Sequence, residues 1–240
     1  MVRSRALITG ASKRVGGAMI EDLAKKGFNL IIHYNNSQDD ALDLQRRVIE
    51  DYQVECDVIC GDLTENKNIQ DFADRVFDKY NDIDLLVNNA SIFTKSSLGD
   101  FNLDEFDRIF NIHLKAAIIL SLKMKVGNII NVLDKNITRY KTQYFSYLIA
   151  KKSLAEFTKI AALQLAPKIR VNAIAPGCVL YNDVDLSNKK QMDEILSRTP
   201  LQKSGNINNF LQGMNYLLDN DYVNGEILFI DGGDCLNNVY

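Results

Sequence analysis

TGASKRVGG, residues 9–17, is the stretch on which the fold turns. It follows the apolar run ALIT and leads at once into residues 18–26, whose apolar side chains recur at helical spacing. A glycine turn at a strand-to-helix junction presents backbone N–H groups and a helix N-terminus to a pyrophosphate. Such glycines are a weak sign by themselves. They gain weight only in the first βα unit of an α/β chain.

The rest of the sequence supplies that setting. Six further β-branched runs follow: NLIIHY (29–34), DVIC near Asp57, DLLVNN (84–89), NIINVL (128–133), RVNAIA (170–175) and EILFI (226–230). Between them, helical periodicity covers residues 38–52, 66–80, 103–123, 147–166 and 206–218. The alternation implies an α/β, Rossmann-like, doubly wound fold, with a seven-stranded parallel sheet and helices on both faces. No repeat, low-complexity tract or linker interrupts it, so one domain over residues 1–240 is expected. Residues 177–200 are polar and weak in strand signal. They read either as a lid over the sheet's carboxyl edge or as an exposed crossover.

Composition narrows the function classes. The 28 Lys and Arg against 31 Asp and Glu give a net charge of −3, which offers nothing to a nucleic acid or an anionic membrane surface. The most apolar helical stretch, AAIILSL (116–122), is far shorter than the roughly 20 residues of a membrane span. The four cysteines contain no CxxC pair; Cys56 and Cys60 read as small hydrophobes in a buried strand, and reduced thiols are expected. The opening MVRSRALITG lacks a signal-peptide core, so a cytoplasmic location is expected. No metal-ligand spacing and no GxSxG nucleophile elbow is present, and no metal is expected.

TGASKRVG resembles the TGxxxGxG loop of short-chain dehydrogenases/reductases, in the TGxxxRxG version of the pteridine reductases. Further matches follow in order: NNAS (88–91) for NNAG, Asn111 for the active-site asparagine, YLIAK (147–151) for YxxxK, APG (175–177) for the PG turn, and IDGGD (230–234) for VDGG. The resemblance implies NADPH held by Gly10, Lys13, Arg14, Val15, Gly16, Asn89, Ala90, Ser91, Lys151, Pro176 and Gly177, with Asp62 and Leu63 at the adenine. After the second strand, HYNNS (33–37) carries no acid to repel a 2′-phosphate. His33, Tyr34, Asn35, Asn36 and Ser37, with Lys13, therefore favour NADPH, although pteridine reductases usually place an arginine where Asn36 stands. Alternatives remain for single residues: His33 as a satisfied strand-end histidine, Asp62 as a helix cap, Arg14 as a surface cation.

At the reacting end, Tyr147 and Lys151 lie four apart on one helical face, a spacing at which the ammonium favours phenolate. NIINVLD ends in Asp134 where most of the family has serine, again as in pteridine reductases. A carboxylate serves an oxyanion badly and suits a ring nitrogen better, so Asp134 and Tyr147 read as a proton relay to a C=N bond. A helix cap is the other reading of Asp134. The resemblance further implies catalytic roles for Asp134, Tyr147, Lys151 and Asn111, and a substrate bordered by Arg14, Ser91, Phe93, Asp134 and Tyr147. Phe93 reads as a cover on a flat heterocycle or as core, and His113 as a solvated helix residue. The expected activity is NADPH-dependent reduction of a pterin or dihydrofolate-like substrate. The alternatives are a 3-oxoacyl-carrier-protein or other carbonyl reductase, and a non-catalytic NADPH sensor. A homotetramer is the family expectation, consistent with more apolar residues on 103–123 and 147–166 than one stripe needs.

Overall fold

In the computed structural model, which describes residues 4–178, 193 and 196–237, all seven apolar runs pair into one sheet. The strands are β1 Arg5–Ile8, β2 Asn29–Tyr34, β3 Cys56–Cys60, β4 Ile83–Asn88, β5 Gly127–Val132, β6 Ile169–Pro176 and β7 Ile227–Ile230. Their order is β3-β2-β1-β4-β5-β6-β7 and every pairing is parallel. The winding direction therefore reverses between β1 and β4. At that point the two connecting segments leave in opposite directions, and a crevice opens at the strands' carboxyl ends.

Strands enclosed on both faces read as unbroken apolar runs because both sides of the pleat need apolar cover. In β1, Ala6 and Ile8 join the core beneath helices α1 (Arg14–Lys25), α2 (Gln38–Tyr52) and α7 (Ile207–Asp219). Leu7 points to the other core, beneath α3 (Asn66–Lys79), α5 (Ala116–Lys123) and α6 (Phe145–Leu165). Each fully buried aliphatic side chain contributes about 1.5–3 kcal/mol. The asparagines that interrupt these runs have partners: Asn88 Nδ2 donates to Asn131 Oδ1 at 2.8 Å, and Asn131 Nδ2 to Thr158 Oγ1 at 2.9 Å. This buried polar chain ties β4 to β5 and β5 to α6.

Several boundaries differ from the periodicity. Helix α1 begins at Arg14, four residues before its apolar repeat, because the glycines of the loop already form its first turn. The single helix expected over 103–123 is α4 (Leu103–Phe110), a π-helical turn at Asn111–Lys115, and α5. His113 lies in that turn and is 2 % exposed, which corrects its reading as a solvated residue. The turn packs against α3 and α6, and Asn111 and His113 are its buried residues while Ile112, Leu114 and Lys115 stay partly exposed. Cys60 is exposed, not buried, because β3 is the sheet's edge strand; Cys56 is the buried one. The central part of the expected lid, 177–200, lies outside the described residues.

Two buried histidines carry a pH dependence. Burial pushes the His33 ring down to about 4, against a smaller upward pull from its Gly61 carbonyl partner. Burial and then the Lys151 cation push His113 down to about 3. Both are neutral in the folded chain, whereas an unfolded histidine takes up a proton below about pH 6.5. The unfolded state thus binds more protons as pH falls, and stability is lost from pH 6.5 towards 4 for His33 and towards 3 for His113. For His33 this amounts to about 3 kcal/mol by pH 4. Urea midpoints are expected to fall between pH 6.5 and 5, before carboxylates titrate, and His33→Gln to remove roughly half of that slope. A flat profile in the parent protein would contradict the assignment.

Candidate active site

The crevice is built by close backbone approach. Gly10 has φ +62°, and a Cβ there would sit 2.8 Å from Ala90 Cα; one on Gly16 would sit 2.5 Å from the Gly10 carbonyl. Thr9 Oγ1 accepts from the N–H groups of Asn89 and Ala90, each at 2.9 Å. Asn89 Nδ2 returns hydrogen bonds to the carbonyls of Thr9 and Gly10 at 2.8 and 2.9 Å. The ends of β1 and β4 are thereby locked together. His33 locks β2 and β3 to them: Gly10 N–H donates to Nδ1 at 2.9 Å, and Nε2–H donates to the Gly61 carbonyl at 3.0 Å. Both ring nitrogens are used within the protein, so the satisfied strand-end reading of His33 holds, and the ring shapes the loop.

A cleft of about 420 Å³ follows. Gly10, Lys13, Arg14, Val15 and Gly16 line one wall, His33, Tyr34, Asn35, Asn36 and Ser37 another, and Leu63, Asn89, Ala90 and Ser91 the third. Asp62 is not part of the lining. Its Oδ1 accepts from Thr64 N–H at 2.9 Å and Thr64 Oγ1 at 2.8 Å, fixing the turn before α3, whose N-cap is Glu65. Pro176 and Gly177 close β6 instead, where Gly177 N–H donates to the Ile230 carbonyl and the missing Cβ leaves room for Asp231. Arg14 holds φ +54°, the left-handed conformation that favours glycine. Lys13 forms an ion pair with Asp40 at 2.7 Å. No acid lies in residues 33–37, and the one that reaches the loop, Asp40, comes from the first turn of α2. Ser12, Gly61, Thr64, Ile92, Arg108 and Ile112 complete the lining and were not anticipated. Arg108 was within reach of the sequence, since it lies three residues before Asn111 and four before Ile112 on a helix.

At the far end of β5, Tyr147 hydroxyl donates to Asp134 Oδ2 at 3.0 Å. Asp134 Oδ1 accepts from Asn136 N–H and Asn136 Nδ2, each at 2.7 Å, and the residue N-caps a short 3₁₀ helix, Lys135–Thr138. The carboxylate is at once helix cap and partner of the phenol. Lys151 is 3 % exposed, and its ammonium donates to the Val132 carbonyl at 2.6 Å. Burial pushes its pKa down to about 8. The expected phenolate is not what this geometry favours. Burial first, and then the facing Asp134 carboxylate, hold the Tyr147 phenol well above its ordinary range, so it stands as a neutral donor.

Asn111 Nδ2 donates to the Thr64 carbonyl at 2.7 Å, tying the π-helical turn to the start of α3. His113 Nε2 meets the Ile92 carbonyl at 2.9 Å, and its ring stands edge-on to Tyr147 with centroids 5.2 Å apart. Phe93 is 60 % exposed, so it is not core. It stacks on Tyr144 at 4.6 Å and meets Tyr147 edge-on at 4.9 Å. Tyr144, three residues before Tyr147, was missed because a tyrosine there reads as an ordinary helix start. The site therefore joins a neutral phenol, a carboxylate, a buried ammonium and an exposed aromatic face; none of these four residues lines the glycine-walled cleft itself, which Ser91 and Ile92 border just before Phe93.

A family model described as enoyl-(acyl carrier protein) reductase matches residues 10–234. The 3-oxoacyl-[acyl-carrier-protein] reductase FabG of Thermotoga maritima is 29% identical over 237 residues, covering 95% of this chain and 96% of its own. FabG of Staphylococcus epidermidis is 26% identical, with 95% and 97% covered. Among solved structures, FolM alternative dihydrofolate reductase 1 from Brucella canis, complexed with NADP, superposes with a TM-score of 0.88 at 32% identity, over 99% of this chain and 96% of that one. The chain belongs to the short-chain dehydrogenase/reductase family of NAD(P)-dependent oxidoreductases.

Proposed function

We propose that this protein is an NADPH-dependent reductase of a pteridine or dihydrofolate-like C=N bond. The observation that carries the reading is the hydrogen bond from Tyr147 to Asp134 beside the exposed ring of Phe93. An ionised carboxylate only accepts hydrogen bonds, so it gives no help to a developing oxyanion but passes protons well when paired with a phenol. The neutral Tyr147 hydroxyl delivers a proton to the substrate nitrogen; the phenolate left behind is reprotonated from solvent water, with Asp134 taking up that proton and passing it on, and so ending as the carboxylate it began as. Phe93, braced by Tyr144, offers a flat face to a heterocycle.

The cleft fits a dinucleotide. Gly10 and Gly16 open the backbone at the N-terminus of α1, where a pyrophosphate is favoured, and Lys13, on the same cleft as Asn35–Ser37 and paired with Asp40, would exchange that partner for a 2′-phosphate. Bound there, NADPH would supply the hydride. Lys151 would hold the nicotinamide ribose, and Asn111 would keep the π-helical turn in place beside it. The FolM relative's complex with NADP supports this cofactor.

The FabG relatives and the matched family model favour a second reading, reduction of a 3-oxoacyl thioester. Exposed Leu103, Leu122, Ile160 and Leu163 on α4, α5 and α6 support assembly of copies through those helices, as a homotetramer would require.

NADPH oxidation with dihydrobiopterin, dihydrofolate and acetoacetyl thioester separates the two activities. Pterin turnover is expected, and turnover of the thioester alone would remove the first reading. Loss of Asp134 as Asp134→Ser is expected to lower pterin turnover by about 100-fold or more while leaving NADPH affinity intact. Equal loss of both would make the residue structural. Removing the competing acid as Asp40→Asn frees Lys13, and the KM for NADPH is expected to fall by about two- to five-fold with that for NADH unchanged. Equal changes for both cofactors would exclude the 2′-phosphate contact.

A further inference from the structure

We infer that Asp234 is a positioning residue, a buried carboxylate at the C-terminal turn that sets the place of Asp134. The inference rests on the relay reading above and names a group outside it. Asp134 starts the 3₁₀ helix Lys135–Thr138, and none of that helix is fully buried. Apolar packing alone therefore does not fix the segment whose first residue must face Tyr147 on the separate helix α6. Two cations do so. Lys135, directly after Asp134, and Arg139, directly after the 3₁₀ helix, both ion-pair with Asp234, Arg139 at 2.6 Å.

Asp234 has 1 % of its side chain exposed, and its cations 15 % and 19 %, so the cluster is largely withdrawn from water. At such a depth, removing one partner of a charge cluster costs far more than at the surface. The clasp is built on both sides. Arg139 also donates to the backbone carbonyls of Asp234 and Asn237. The turn holding Asp234 is fixed from β7: Asp231 accepts from Gly233 N–H at 2.9 Å and from Cys235 N–H at 2.6 Å.

The sheet order β5-β6-β7 makes this a bridge across the carboxyl edge of β6. One carboxylate spans the two cations that bracket the Asp134-capped turn. Tilting that turn would move the Asp134 carboxylate relative to the Tyr147 hydroxyl, and misplacement of about 1 Å in a proton-transfer pair can cost 100-fold in rate.

Kinetics of Asp234→Asn test this, with Asp234→Glu as the conservative partner. With dihydropterin, kcat is expected to fall about tenfold or more in Asp234→Asn and to recover partly in Asp234→Glu. The NADPH Kd from nucleotide fluorescence should stay within about twofold, because the cleft around Gly10 is built by other contacts. In an Asp134→Ser background the same substitution should lower the residual rate by less than about twofold, since the residue acts through Asp134. An unchanged kcat, a parallel loss of NADPH affinity, or an undiminished effect in the Asp134→Ser background would overturn the inference. If Asp234→Asn does not fold, Arg139→Gln opens the clasp from its more exposed side, and wild-type kcat in that folded variant would overturn it too. A parent enzyme inactive on every pterin would instead defeat the relay reading.

Discussion

Everything in this molecule that faces a ligand depends on how closely β1 is allowed to approach β4. Four hydrogen bonds cross the reversal point, two accepted by the Thr9 hydroxyl from the Asn89 and Ala90 N–H groups and two donated by the Asn89 side-chain amide to the Thr9 and Gly10 carbonyls, and a glycine at position 10 lets the backbones pass with no Cβ between them. The crevice follows from that contact: α1 begins at its base and aims its N-terminus into it, and the neutral His33 ring holds the second and third strands at the same level. Such a crevice is built from close backbone approach held by three side chains, Thr9, Asn89 and His33, each bonded to backbone groups.

Burial then sets the charge states of the reacting groups. Tyr147 is forced to remain a phenol by desolvation and by the carboxylate it faces, while Lys151, fully enclosed, is brought down to about 8. A phenol with raised pKa is a reluctant acid but a well-defined donor, and an ammonium nearer neutrality lowers its resistance to giving up charge. The groups therefore sit in the state in which a proton is present on the phenol before reaction. That order suits a reduction, in which the substrate must gain a proton, better than an oxidation, in which the same phenol would first have to lose one.

The central strands were legible because they are enclosed on both faces and so keep mainly apolar runs, the part-buried edge strands β3 and β7 from their β-branched residues, and the helices from their stripes. What escaped were places where a local pattern continues through a change of geometry. The apolar repeat of 103–123 runs straight through the π-helical turn, so neither the turn nor the burial of His113 leaves a trace in it. Helix α1 starts inside a glycine loop that reads as coil. Among site residues, YLIAK and GNIINVLD fixed the positions of Tyr147, Lys151 and Asp134, and the structure adds their contacts. The pairing of Lys13 with Asp40 and of Asp234 with Lys135 and Arg139 joins residues far apart in the chain. No periodicity encodes such partners, and only the folded topology brings them within reach.

The choice between C=N and C=O chemistry comes down to what the Tyr147 hydrogen meets. A carbonyl oxygen entering the site must draw that hydrogen away from Asp134, and its lone pairs would then face Oδ2 of an acceptor 3.0 Å from the phenol. Two acceptors with one shared hydrogen repel, and the charge that grows on a carbonyl oxygen during hydride transfer deepens the repulsion. A reducible C=N bond in a ring that also carries N–H donors reverses the balance. The donors satisfy the carboxylate while the imine nitrogen takes the phenol's proton, so each of the three polar partners has a complement. An exposed aromatic face beside that pair adds stacking for a flat ring and offers little to an extended acyl chain. Electrostatics and shape are thus two separate supports for the proposed C=N reading, and they act through residues whose positions are set by different elements: β5 and its capped turn, α6, and the loop after β4.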